Sequence, residues 1–152
     1  MNTIRLSRPL FLLLLFLCLA CTSILHAQTP ELSFNKQGTF KIVQFTDVHF
    51  KYGDPASDIA LVRINEVLDA EKPDLIVITG DIVYAKPAGD GFRQVLSTIT
   101  KHKIPFVTTF GNHDDEFDLN RTQLYDLARE YPYCIMPDRG ESPSPDYVLE
   151  VK

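Results

Sequence analysis

The chain has 152 residues, which is enough for one modest domain and too few for two. Its composition, 45% hydrophobic and 23% charged, is typical of a globular protein. Residues 1–27 contain two arginines and no acidic residue, so the remainder carries 13 basic and 20 acidic residues, a net charge of −7. An acidic surface repels a nucleic-acid backbone, and a DNA- or RNA-binding module is therefore not expected.

The N-terminal segment has the pattern of a signal peptide. Arg5 and Arg8 form its basic start, and the apolar run over 10–20 is too short for a stable membrane anchor. Cleavage after Ala27 predicts export to the periplasm or out of the cell.

Residues 28–152 are then the predicted mature domain. The alternative is processing as a lipoprotein, with a lipid anchor at Cys21. After cleavage at the signal-peptide site, Cys134 is the only remaining cysteine, so no internal disulfide can form.

Apolar runs of two kinds alternate along the mature chain and predict an α/β fold. Short runs bounded by turn residues are typical of strands, and longer segments with apolar residues every three or four positions are typical of helices. The predicted strands cover 40–45, 75–79 and 106–110, and the predicted helices begin at the N-caps Asp58, Asp90 and Asn120.

Two further segments are predicted as strands at the ends of the domain. Residues 32–34, with a turn at Gln37-Gly38, predict an edge hairpin with the first core strand. The adjacent apolar residues Ile42 and Val43 indicate that this core strand is buried on both faces. Residues 147–151 alternate like a strand.

A short polar block follows each of the three predicted core strands. The blocks are Asp47-Val48-His49, Gly80-Asp81 and Gly111-Asn112-His113-Asp114. Because parallel strands end at the same edge of a sheet, these blocks are expected to meet there. Each block alone is also consistent with a simple turn. Together, Asp, His and Asn side chains indicate a metal site.

In their order and placement, the three blocks resemble those of the calcineurin-like metallophosphoesterases. The motifs D-x-H, G-D and G-N-H-D of that family match at Asp47-His49, Asp81 and Asn112-His113-Asp114. The resemblance covers about residues 40–152. It implies an α/β fold in which a β-sheet core of βαβ units with flanking helices forms the first half of a four-layer sandwich.

The resemblance also implies a binuclear metal centre that hydrolyses phosphate esters with a metal-activated hydroxide. Asp47 and His49 would bind the first metal, Asp81 would bridge the two, and Asn112 would bind the second. These oxygen and nitrogen ligands suit Fe, Mn or Zn.

Two catalytic roles follow from the same resemblance. His113 would protonate the leaving group as general acid, and Asp114 would orient His113 through its other ring nitrogen. Asp115 and Glu116 are interpreted as a solvated acidic face or a cap.

Tyr84 completes a G-D-x-x-Y pattern that purple acid phosphatases share, where the tyrosine binds the ferric ion. In those enzymes the first block lacks its histidine, whereas this chain has His49. Packing or contact with a metal-binding residue is therefore the favoured interpretation of Tyr84, and metal ligation is the alternative.

The family's two remaining motifs, a lone histidine and G-H-x-H, have no counterpart, because no histidine follows His113. We therefore expect the domain to be truncated on its C-terminal side, as the first part of an exported phosphoesterase that acts on small phosphate esters. Such a fragment is expected to be inactive alone, or else to bind one metal ion weakly or to acquire the missing ligands in trans. The alternative is a non-catalytic metal- or phosphate-binding module derived from such an enzyme.

Overall fold

A computed structural model describes residues 30–142 and 146–152, so the predicted signal peptide lies outside the described residues. Strands and helices alternate along the chain, as predicted. They are β1 (Ile42–Phe45), α1 (Asp58–Glu71), β2 (Leu75–Thr79), α2 (Ala88–Thr100), β3 (Phe106–Thr109) and α3 (Arg121–Arg129). Among the described residues, no helix combines the length and the apolar character that crossing a bilayer requires.

The three strands form one parallel sheet in the order β1-β2-β3. Gln44 pairs with Val77, which in turn pairs with Val107. Both crossovers step in the same direction across the sheet, and right-handed crossovers then place α1 and α2 on the same face. Helix α2 packs against both α1 and α3. The carboxyl ends of all three strands therefore share one edge of the sheet, and α1 and α2 cover one of its faces.

The helix-covered face of the sheet carries the hydrophobic core. Helix α2 has its apolar residues at a spacing of three and four positions, which directs one stripe toward the sheet. Its members Phe92, Val95, Leu96 and Ile99 are all fully buried, in one cluster with the strand residues Ile76, Ile78 and Phe106. Each such side chain contributes about 1.5–3 kcal/mol through burial.

The opposite face of the sheet is more open, and the prediction that β1 is buried on both faces is wrong. Strand β1 lies at the edge of the sheet, and its Ile42 is 53% exposed. The C-terminal segment covers part of this face, where the Tyr147 hydroxyl donates to the Thr108 carbonyl at 2.9 Å.

The two terminal segments pair with each other instead of forming the predicted strands. The Phe34 N–H donates to the Lys152 carbonyl at 2.8 Å, and the Lys152 N–H donates to the Leu32 carbonyl at 2.9 Å. The predicted turn is present, since the Asn35 N–H donates to the Thr39 carbonyl at 2.9 Å. Neither segment forms a regular strand. The predicted hairpin between residues 32–34 and β1 is therefore wrong, because residues 32–34 pair with Lys152.

Of the three predicted N-caps, only Asn120 caps its helix. Its side chain accepts from the Gln123 N–H at 2.9 Å, and the Gln123 side chain accepts from the Asn120 N–H at 2.9 Å. Asp58 and Asp90 lie inside the first turns of α1 and α2. There they interact favourably with the helix dipole but accept no capping bond.

Candidate metal centre

Three loops meet at the carboxyl edge of the sheet: the first loop (46–50), the second loop (80–84) and the third loop (110–120). The first and second loops lie side by side and are joined by backbone hydrogen bonds. The N–H groups of Asp47, His49 and Phe50 donate to the carbonyls of Gly80, Asp81 and Ile82 at 3.2, 2.9 and 2.9 Å. These bonds extend the β1–β2 pairing beyond the strands and bring the two polar blocks together.

Three of the predicted site residues have a left-handed backbone. The φ angles of Asp47, His49 and Asp81 are 53°, 47° and 50°. Residues other than glycine adopt this region rarely. Such conformations persist where the surrounding structure enforces them, often at functional sites. Here the bonds between the first and second loops supply that constraint.

Glycine is required where the second and third loops touch. Gly80 has a φ of 87°, and a Cβ added there would lie 2.5 Å from the Gly111 nitrogen. A Cβ added at Gly111 would overlap the Asp81 carboxylate. The two loops therefore approach backbone to backbone, and this contact places Asp81 beside the third loop.

His49, Asp81 and His113 form a cluster at this edge. Each offers a ligand atom within 4.8 Å of the other two. Asp81 Oδ2 lies 3.4 Å from His49 Nε2, which is buried and makes no hydrogen bond within the described residues. A buried polar atom without a partner is rare and requires an explanation. The Asp81 carboxylate and the His49 imidazole suit Fe, Mn or Zn, so they fit a metal ion, and His113 borders the same position.

Asp47 lies at the same edge but is not a member of the cluster, and Asn112 directly precedes His113 on the third loop. Both are exposed, and the Asp47 carboxylate accepts a hydrogen bond from the Thr46 hydroxyl at 2.6 Å. The structure thus brings His49, Asp81 and His113 within mutual ligand distance. The assignment of Asp47 and Asn112 as metal ligands stays a prediction.

The Asp81 carboxylate is held by the third loop. Its Oδ1 accepts from the His113 N–H at 2.9 Å. This bond lowers the pKa of the Asp81 carboxyl, against the opposing effect of partial burial. The carboxylate form is therefore favoured at the centre of the cluster.

The predicted role of Asp114 in orienting the His113 ring is wrong. Asp114 is fully buried, and both of its oxygens point at backbone instead. They accept four N–H bonds of 2.7–3.2 Å, from Asp81, Ile82, Val83 and Gly111. Burial raises the pKa of Asp114, and these bonds oppose that rise. Asp114 joins the second loop to the third.

Glu116 holds the His113 ring in the way predicted for Asp114. Its Oε2 lies 2.8 Å from His113 Nδ1, which leaves Nε2 as the other ring nitrogen. This contact raises the pKa of His113. Sequence reasoning treated Glu116 as part of a solvated face. The available signal was its position three residues after a histidine of the third block.

Tyr84 packs against both histidines. Its ring centroid lies 5.2 Å from that of His49 and 4.8 Å from that of His113, the latter edge to face. The Lys51 ammonium lies 5.5 Å from the ring centroid on the outer side. The ring thus forms a wall of the cluster, in agreement with the packing interpretation. Metal ligation by Tyr84 is not tested.

Comparison with known proteins identifies the class. The family model described as calcineurin-like phosphoesterase matches residues 40–147, and the chain belongs to this family. The chain is 35% identical to probable inactive purple acid phosphatase 29 of Arabidopsis thaliana, over 86% of this chain and 40% of that protein. It is 34% identical to phosphatase DCR2 of Saccharomyces cerevisiae, over 65% of this chain and 20% of that protein.

A bacterial relative matches as well. The probable cyclic nucleotide phosphodiesterase of Moraxella catarrhalis is 31% identical over 66% of this chain and 36% of that protein. The chain thus spans less than half the length of each of these three curated relatives. No solved structure matches this chain.

Proposed function

We propose that the chain is the N-terminal, metal-binding part of an exported, binuclear phosphoesterase that acts on small phosphate esters. Family membership supports metal-dependent phosphoester hydrolysis as the reaction class. The observation that carries the proposal is the cluster of His49, Asp81 and His113, with a buried His49 Nε2 that has no hydrogen-bond partner in the described part of the chain.

The residues that would hold metal divide between the three loops. His49 Nε2 and Asp81 Oδ2 lie 3.4 Å apart and would form the core of the centre, with Asp47 as a further ligand from the first loop. Asn112, exposed on the third loop, would contribute an uncharged amide oxygen to a second ion. Bound metal ions supply Lewis acidity toward a phosphoryl oxygen and toward the attacking water.

His113 would exchange a proton with the leaving group. Its Nδ1 contacts Glu116, so the ring orientation is fixed and Nε2 is the nitrogen left for a substrate atom. Because its backbone N–H binds Asp81, the ring and the central carboxylate keep a constant relation. Tyr84 limits the space on the outer side of both histidines.

The remaining ligands of a complete centre would come from sequence beyond this chain. In support, the chain covers 40% or less of the three relatives named above. No histidine follows His113 among the 152 residues, so within the chain the predicted ligands of the second ion are Asn112 and the bridging Asp81. The chain alone would hold one metal ion weakly and turn over little substrate.

The second candidate function is a non-catalytic metal- or phosphate-binding module. The observation in its favour is that one of the similar proteins is named a probable inactive purple acid phosphatase. Such a module keeps the cluster and its ligand atoms while it lacks turnover in any longer form.

The test compares the chain with an Asp81→Asn variant and a matched Asp69→Asn control. Asp69 is 76% exposed near the far end of α1, away from the cluster. Metal content, Mn²⁺ affinity and p-nitrophenyl phosphate hydrolysis are measured on each, and on a longer form that contains the distal histidines. We expect Asp81→Asn to remove metal binding and the activity of the longer form, and Asp69→Asn to change neither.

Two outcomes count against the proposal. Unchanged metal content in Asp81→Asn would remove Asp81 from the centre. Full metal binding without hydrolysis in the longer form would favour the non-catalytic module.

A further inference from the structure

Arg121 is the first residue of α3, and all three nitrogen atoms of its guanidinium donate hydrogen bonds to the third loop. Nη1 donates to the Phe110 carbonyl at 3.0 Å, and Nη2 donates to the Gly111 carbonyl at 2.7 Å. Nε donates to Asp115 Oδ2 at 3.0 Å. One planar group therefore holds two successive carbonyls and a carboxylate at the start of the block that carries Asn112 and His113.

These contacts fix the backbone just before the predicted site residues. The Gly111 N–H is held by Asp114 Oδ2 at 2.8 Å, and the Gly111 carbonyl is held by Arg121. With both peptide groups of Gly111 constrained, the direction in which the chain enters Asn112 and His113 is set. The His113 N–H then meets Asp81 Oδ1.

Helix stability does not explain an arginine at this position. A cation at a helix N-terminus interacts unfavourably with the helix dipole. The N-terminus of α3 is already capped by Asn120 and Gln123 through a reciprocal pair of bonds. The contacts of Arg121 lead away from the helix, toward the third loop.

We propose that Arg121 is a positioning residue of the metal centre, which holds the third loop so that His113 lies at the cluster, with Asn112 next to it in the chain. The expected effect of Arg121 on metal binding rests on the proposed function. Arg121 acts through the backbone, since its guanidinium contacts neither the His113 ring nor the Asp81 carboxylate among the described contacts. The planar fork of arginine matches two carbonyls and a carboxylate, whereas the ammonium of lysine does not.

The test uses Arg121→Gln and Arg121→Lys, with Arg129→Gln as the matched control. Arg129 lies on the same helix and binds the exposed Asp138 at 3.2 Å, outside the three loops. The first measurement, on the metal-free chain, is amide hydrogen exchange of His113 relative to Leu124. The Leu124 N–H bonds to the Asn120 carbonyl at 3.0 Å within α3 and reports helix stability alone.

We expect both Arg121 variants to speed exchange at His113 while exchange at Leu124 changes little, and the control to alter neither site. The second measurement is Mn²⁺ affinity, which we expect to fall about 10- to 100-fold in Arg121→Gln, as for other residues that orient metal ligands. Arg121→Lys is expected to restore only part of this loss. The control is expected to keep the wild-type affinity.

Equal acceleration at His113 and Leu124, or unchanged exchange at His113, would overturn the positioning role. A fall in Mn²⁺ affinity as large in Arg129→Gln as in Arg121→Gln would overturn it too. If the wild-type chain binds no Mn²⁺, the proposed function fails at this centre, and the exchange measurement still decides the role of Arg121.

Discussion

The second and third loops are joined by hydrogen bonds of carboxylate side chains, whereas the first loop is attached to the second mainly by backbone bonds. Asp114 binds backbone groups on both of the joined loops, and the Asp81 carboxylate binds the third-loop backbone in return. The first loop meets the second through four backbone bonds, three donated by the first loop and one donated by the Tyr84 N–H to the Phe50 carbonyl. The loops at this edge of the sheet are thus connected in two different ways, by side chains between the second and third loops and by backbone between the first and second.

This difference explains how the cluster is organised. Asp81 and His113 belong to the joined loops, and their relation is fixed by buried bonds before any ligand binds. His49 and Asp47 depend on left-handed backbone conformations in the first loop. We infer that the joined loops set the geometry of the centre, and that the first loop brings ligand atoms to it.

The largest expected effect comes from Asp114→Asn. This change keeps the shape of the side chain but turns one oxygen into an N–H donor that faces two backbone N–H groups. Losing two charge-assisted bonds in a fully buried position is expected to reduce the free energy of unfolding by about 4 kcal/mol. Urea unfolding of the metal-free chain measures this change.

Asp115→Asn is the control for that experiment. Asp115 is its chain neighbour and is exposed, and its salt bridge to Arg121 spans 3.0 Å. Partly exposed pairs of this kind contribute less than about 1 kcal/mol, so the two variants should differ clearly. Equal losses in both variants would show that Asp114 does not join the loops as described.

The sequence predicted the parallel α/β order and the place of the site because both follow from local patterns. Apolar runs marked the three core strands, and the polar block after each strand marked the shared edge. The Asn120 cap was predicted for the same reason, since capping depends on residues three positions apart. Fold class and site location are therefore accessible from the sequence alone.

The partners of the acidic residues could not be predicted in the same way. Asp114 and Glu116 both follow His113 closely, and only the path of the third loop decides which of them contacts the ring. The burial of β1 failed for a related reason, because strand order across a sheet is not encoded in any one strand. The buried partners of Asp114 and the position of β1 in the sheet both depend on contacts between distant segments, whereas the Glu116 contact is local and depends on the path of the third loop.

A second prediction tests the close approach of the two joined loops with Gly80→Ala and Gly38→Ala. Both glycines have positive φ, 87° and 74°, but a Cβ at Gly38 meets open space. Gly38→Ala is expected to cost about 1 kcal/mol of unfolding free energy for the backbone conformation alone. Gly80→Ala is expected to cost about 3 kcal/mol, since its Cβ also overlaps the Gly111 backbone. Equal costs, measured by urea unfolding, would mean that the loops can separate freely.

The smallest effect on stability is expected in the first loop, at Asp47. Asn tolerates left-handed backbone about as well as Asp, so Asp47→Asn should change the free energy of unfolding by less than about 0.5 kcal/mol without metal. Asp47→Ala removes the side chain that makes this conformation tolerable and is expected to cost about 1 kcal/mol. Thermal unfolding in EDTA measures both variants. A loss in Asp47→Asn as large as that in Asp114→Asn would show that the first loop is also held by its side chains. A negligible loss would leave its Asp47 carboxylate free for ligand binding, which is what separates this loop from the joined pair.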